Sequence, residues 1–302
     1  MRGIRAVGII LVCWGIICRF ASVSMDAEGS QSSGELLTQL ASPGDVSGKP
    51  SADLLAMLQD DRPLYRVAAI DELLRRREAG IAPQFKKLLE DQSSLVRFKE
   101  AAALLDLGDQ GMFPVLRDLL TTGPSAAKIM IAEVLARHGD DSGLDYARAQ
   151  LTNPRPTRRM EAIRALAASK NDDVAYSALE IGLKDSDESN RQSAMYLLGK
   201  RPGKRSVGLL GTMLADSDHT IRWLTVAALA NNGSRDAIPL LLNALGDMDL
   251  GVCGMASSAL NKITGQDKRA FVLKPERARQ LEMEWRAWWE ANKDKPLPAE
   301  KN

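Results

Sequence analysis

Histidine is nearly absent from this 302-residue chain: its two copies, His138 and His219, stand 81 residues apart. Neither has a second histidine or a cysteine pattern beside it, which excludes the usual ligand spacing of a zinc site. The chain contains no G-x-S-x-G, no H-E-x-x-H and no G-x-x-x-x-G-K-[ST], so nucleophile-elbow, zinc-protease and phosphate-loop chemistry have no sequence basis. No catalytic, cofactor-binding or metal-binding residue is expected. Cysteine is scarce too, with Cys13, Cys18 and Cys253. Long apolar runs are missing, since the uninterrupted stretch at residues 6–18 covers 13 residues where a spanning helix needs about 20.

That short run has its own meaning. Arg2 and Arg5 precede it and small residues around Ser22, Val23 and Ser24 follow it, the layout of a secretory signal peptide over residues 1–24. The expectation is an exported protein: periplasmic, cell-surface or secreted. An uncleaved N-terminal membrane anchor is the alternative, and membrane contact is expected only in that case. Acylation at Cys18 is disfavoured because Ile17 stands where a small residue is usual. Without residues 1–24 the chain carries 37 basic against 39 acidic groups, a net charge of −2. No overall basic footprint for a nucleic acid remains. Cys253 is then the sole cysteine, so no intrachain disulfide forms, and it reads as a small buried residue. Residues 25–50, rich in Ser and Gly, read as a flexible linker.

What is abundant is repetition. The stretch SLVRFKEAAALLDLGD at residues 94–109 has six approximate copies. With Arg97 as position 0, the equivalents are Arg66, Lys128, Arg159, Arg191, Arg222 and Cys253, spaced by 31 or 32 residues. A fixed period in this range marks an array whose elements bury their apolar faces by stacking on one another. Seven residues past position 0 stands a leucine in every copy: Leu73, Leu104, Leu135, Leu166, Leu198, Leu229 and Leu260. Three past it come mostly small residues (Ala69, Ala162, Ala194, Thr225 and Ala256), with Glu100 and Ile131 as departures. Steps of three, four and seven place these on one helical stripe. Glycines such as Gly108, Gly139 and Gly233 end that helix, and a second apolar pattern then begins. Each repeat is therefore two antiparallel helices.

Such a repeat, on VRFKEAAALLDLGD, NRQSAMYLLGK and IRWLTVAALANNGSRDAIPLLLNAL, resembles the short HEAT repeat of phycobilisome-lyase-like proteins. The resemblance covers roughly residues 51–265 as seven repeats. It implies an all-α fold: an α-solenoid, or α-α superhelix, of about seven two-helix HEAT-like repeats. Residues 266–302 follow the last repeat. Within them a helix over residues 275–292 places Leu281, Trp285 and Trp288 on one stripe, as a cap for the exposed end of the array.

Two further rows run through the repeats. Six residues before position 0 an Asp recurs, and Asp91, Asp185 and Asp216 are expected to cap the following helix and bond Arg97, Arg191 and Arg222 of their own repeats as a structural ladder. One residue past position 0 stand Val67, Phe98, Ile129, Met160 and Trp223, at about 100° from position 0 on the helical wheel. Packing against the adjacent repeat would bury this row. If exposed, it is a candidate partner-binding ridge for a peptide or helix. The function expected is a non-catalytic interaction scaffold that binds a protein or peptide through its concave or ridge surface, with no cofactor, nucleic acid or small-molecule substrate. A lyase-like or other enzyme-associated repeat protein, and a membrane-tethered structural protein, are the alternatives.

Overall fold

The computed structural model describes residues 43–78, 80–268 and 274–297. The expected signal peptide, residues 25–42 of the expected linker and the last five residues lie outside the described residues. Among the described residues fifteen α-helices follow one another and there is no strand. They are α1 (Ser51–Met57), α2 (Pro63–Arg76), α3 (Ala82–Lys86), α4 (Ser94–Asp106), α5 (Met112–Thr122), α6 (Ser125–Arg137), α7 (Leu144–Gln150) and α8 (Pro156–Ala167). They continue as α9 (Asp172–Leu183), α10 (Glu188–Gly199), α11 (Lys204–Thr212), α12 (His219–Asn232), α13 (Ile238–Ala244), α14 (Leu250–Thr264) and α15 (Pro275–Asn292). Position 0 falls in the even-numbered helices, so α1–α14 make seven helix pairs of an α-solenoid.

The helices start and stop for local reasons. Asp187, Asp218 and Asp249 accept the backbone N–H groups of Asn190, Thr220 and Val252, capping α10, α12 and α14. These caps stand four residues before position 0. The carboxylates at six before it, expected to cap, instead accept an N–H just ahead of the helix. Pro63 and Pro156 occupy the first turns of α2 and α8, where a missing N–H costs nothing. Gly233 ends α12 at φ +71°, a left-handed conformation that a side chain resists.

Contacts divide the chain into two compact units, one ending at Ala147 and the other beginning at Arg148, within α7. The first is built around Leu54, Ile70, Leu73, Phe85, Leu104, Leu116, Ile131 and Leu135, all at most 1% exposed. The second is built around Ile163, Leu179, Leu198, Val226, Leu229, Leu241, Leu260, Leu281 and Trp285, with the same degree of burial. Each such side chain contributes on the order of 1.5–3 kcal/mol through burial. Close helix approach explains the small residues: a Cβ on Gly199 in α10 would lie 2.9 Å from the Ala228 carbonyl of α12.

The last helix joins the core of the second unit. α15 packs on α13 and α14, and Trp285 is fully buried with its Nε1 donating to Ser257 Oγ at 3.0 Å. Trp288 meets Trp285 edge to face at 5.7 Å and is partly buried. Arg235 holds the C-terminal end of α15, donating to the carbonyls of Asn292 (3.3 Å), Lys293 and Lys295 (2.7 Å) and stacking over Trp289.

Candidate partner-binding site

Position 0 and the carboxylate row do form a ladder, with a different connectivity from the one expected. Arg191 Nη1 donates to the Asp185 backbone carbonyl (3.0 Å), Arg222 Nη1 to that of Asp216 (3.0 Å) and Arg97 Nη1 to that of Asp91 (2.6 Å). The own-repeat partner is thus the carbonyl and not the side chain. The reason is the turn: Asp91, Asp185, Asp216 and Asp247 each use Oδ1 to accept the N–H two residues on. That bond fixes the carboxyl away from its own arginine. Three of these aspartates are taken by the arginine one repeat earlier.

Arg66 lies 2.8 Å from Asp91, Arg159 lies 2.7 Å from Asp185, and Arg222 lies 2.7 Å from Asp247. Side-chain exposure in these pairs is 14% or less. The hydrogen bond from Arg159 lowers the pKa of Asp185 to about 2, and Arg222 lowers that of Asp247 in the same way. Cys253, at position 0 of the seventh repeat, donates its thiol to the Asp247 carbonyl at 3.2 Å and so replaces the arginine's carbonyl bond. It is buried, and burial raises its pKa, which keeps the thiol protonated.

The row one past position 0 is not an exposed ridge. Val67 (3%), Phe98 (3%), Ile129 (2%) and Met160 (6%) are buried. Helices α2 and α4 pack side by side in the first unit, as do α8 and α10 in the second, and a slot 100° from position 0 falls on a flank that such packing covers. Trp223 alone among the five candidates remains open, at 37% exposure.

Tyr196, five past position 0 in α10, is 56% exposed and lies on nearly the same stripe as Trp223, one repeat earlier. Lys200 sits over its ring at 4.4 Å. Sequence reading missed Tyr196 because it followed the slot that repeats, and only this repeat carries an aromatic five past position 0. Elsewhere in the second unit, an open apolar groove lies along the end of α7, α8 and α9, lined by Leu151, Leu166, Val174, Ala178 and the exposed Ile181.

Four arginines near helix ends are engaged within the fold. Arg75 and Arg76 bond Glu72, while Arg201 reaches the Ala167 carbonyl and Asp172, and Arg205 reaches Asp173. Both Arg201 and Arg205 stack on Tyr176. His138 meets Asp106 at 2.7 Å. Among the described residues no group of three His, Cys, Asp or Glu side chains could hold a metal ion. No helix among them is long and apolar enough to cross a membrane.

HEAT repeats are matched over residues 51–128 and 124–199. No curated protein matches the chain. Among solved structures, human deoxyhypusine hydroxylase is 19% identical, with 85% of this chain and 98% of that one covered and a TM-score of 0.36. The Escherichia coli protein YibA is 13% identical over 85% and 98% of the two chains, with a TM-score of 0.42. The complex of CpcE and CpcF of phycocyanin lyase from Nostoc is 19% identical over 86% and 97%, with a TM-score of 0.40. Two-helix repeats of 31 or 32 residues, an invariant buried leucine in each and the matched segments together identify the chain as a member of the HEAT-repeat proteins.

Proposed function

We propose that this HEAT-repeat chain is a non-catalytic interaction scaffold that works outside the cytoplasm and binds a polypeptide along the exposed stripe of α10 and α12. The observation that carries this reading is the pair of exposed aromatics, Trp223 and Tyr196, on second helices whose other large apolar residues are buried or partly buried. Exposed rings on a rigid helical array offer area for binding at little entropic cost, since both side chains have only two rotatable bonds. The sequence layout of residues 1–24 supports export.

The test uses the chain purified from the exported fraction together with whatever co-purifies. Trp223→Ser and Tyr196→Ser should each release the co-purified protein while leaving the melting temperature within a degree or two of wild type, as exposed positions allow. A partner retained by both variants overturns the assignment of the stripe. The mature N-terminus, read by mass spectrometry, should begin near Met25; an intact Met1 in the mature protein overturns the signal-peptide reading.

A further inference from the structure

Position 0 provides an internal template for carboxylate binding. Arg66, Arg159 and Arg222 each divide the guanidinium in two. Nη1 donates to a backbone carbonyl of the same repeat, at Asp60, Asn153 and Asp216 respectively. The Nε and Nη2 edge faces both carboxylate oxygens of the next repeat's aspartate at 2.7–2.8 Å, with both hydrogen bonds made at Arg159 and Arg222 and the Nη2 bond at Arg66. That two-pronged edge matches the geometry of a carboxylate.

Arg97 keeps only the first half of this arrangement. Its Nη1 donates to the carbonyls of Asp91 (2.6 Å) and Gln92 (3.1 Å), and among the described residues no carboxylate reaches its Nε and Nη2 edge. The next repeat carries Thr122 at the place of the aspartate. The exchange has a local cause. In the other repeats the side chain six before position 0 accepts the N–H of the residue four before it, and here that residue is Pro124, which has none.

Lys128, at position 0 of the same repeat, donates to the Thr121 carbonyl, and among the described residues it too meets no carboxylate. On helices α4 and α6, which touch in the first unit, two cations lack the anion that accompanies Arg66, Arg159 and Arg222. Both are partly exposed and open to solutes. Arg191 also uses only Nη1 and meets no carboxylate among the described residues, but its following repeat carries an aspartate, Asp216, at the ladder position. Arg97 has no such residue ahead of it.

We propose that the Nε and Nη2 edge of Arg97, with Lys128 at the equivalent position of the next repeat, is a carboxylate-binding site filled from outside the chain. The ligand takes the place of the aspartate that the third repeat lacks. This site belongs to the first compact unit and is independent of the stripe of Trp223 and Tyr196, which belongs to the second.

The experiment uses the full chain, fluorescein-labelled hexaglutamate as the probe and fluorescence anisotropy at low ionic strength. Arg97→Lys is the informative variant, because Lys128 shows that an ammonium at position 0 reaches a carbonyl of the preceding turn, that of Thr121, while offering no fork. It should weaken hexaglutamate binding by about tenfold, the equivalent of one charge-assisted hydrogen bond, with an unchanged melting temperature. Arg191→Lys should leave the affinity within about twofold of wild type, since an exposed charge that stays in place changes little.

Sodium acetate added in millimolar excess separates the two sources of the ligand. Displacement of the peptide shows that a free small carboxylate is enough, whereas retention shows that the site takes its carboxylate from a polypeptide; either result in wild type, with loss in Arg97→Lys, supports the site. Equal binding by wild type and Arg97→Lys, equal losses in Arg97→Lys and Arg191→Lys, or no binding by wild type overturns it.

Discussion

Glu100 gives the fold a calculable dependence on pH. It stands three past position 0, where most repeats place a small residue, and it is completely buried in α4 with neither carboxylate oxygen hydrogen-bonded. Burial without a compensating partner raises its pKa from 4.5 to about 8. The folded chain therefore holds Glu100 protonated at neutral pH, while the unfolded chain ionises it. Between the two pKa values the unfolded state has fewer protons bound, so stability falls as pH rises, by about 1.4 kcal/mol per unit. At pH 7 the loss relative to pH 4.5 is about 3 kcal/mol, and above pH 8 it levels off at about 4 kcal/mol. Replacing Glu100 by Leu removes the titration and fills the slot with an apolar side chain of similar length.

Denaturant unfolding from pH 5 to 9 is the assay. Wild type should lose stability across this range, Glu100→Leu should not, and the variant should be the more stable protein at pH 8. The aspartates with lowered pKa do not interfere. Asp60 and Asp185, each lowered to about 2, add stability that is complete above their unfolded values and is lost only as pH falls towards 2. A gap between wild type and Glu100→Leu that stayed constant from pH 5 to 9 would refute the reasoning.

Other positions test the ladder and the last helix. Arg222→Ala strands the buried carboxyl of Asp247 and should cost about 3 kcal/mol, towards the lower end of the range for broken buried pairs, as read from the denaturant midpoint. Arg191→Ala, which loses hydrogen bonds to carbonyls alone, should cost about 1 kcal/mol. Trp285→Ala opens a cavity and leaves Ser257 without its donor, for a loss of about 3–5 kcal/mol by the same measurement. Removal of residues 275–302 uncovers apolar surface on α13 and α14, and sedimentation should show association that the intact chain lacks. Asp185→Asn should flatten the acid limb of the stability profile below pH 4, because the lowered pKa is what makes folding depend on pH there.

The helix pairs were legible because their cause is local and repeated. A leucine seven past position 0 and a glycine in the following turn recur in one register, and periodicity of that kind survives any detail of packing. The partners in the ladder were not legible. Asp185 and Arg191 are six residues apart across a helix start, which suggests a pair, yet the hydrogen bond from the Asp187 N–H turns the carboxyl towards Arg159. Which carboxylate meets which arginine depends on the offset between repeats, a quantity that local spacing does not contain. The same offset covers Val67, Phe98, Ile129 and Met160, which helical geometry alone leaves on a flank. Tyr196 escaped for the opposite reason: it is an exception within its row, and a consensus hides exceptions.

The direction of the ladder bears on synthesis. Arg66, Arg159 and Arg222 each wait 25 or 26 residues for the carboxylate that neutralises them, because it belongs to the repeat that leaves the ribosome next. A nascent chain that folds from its N-terminus therefore exposes each of these three guanidinium groups until the turn after the next first helix supplies its aspartate. The sequence stops this relay at Cys253. Its thiol meets the Asp247 carbonyl and needs no later carboxylate, so the seventh repeat can close as soon as α14 has emerged.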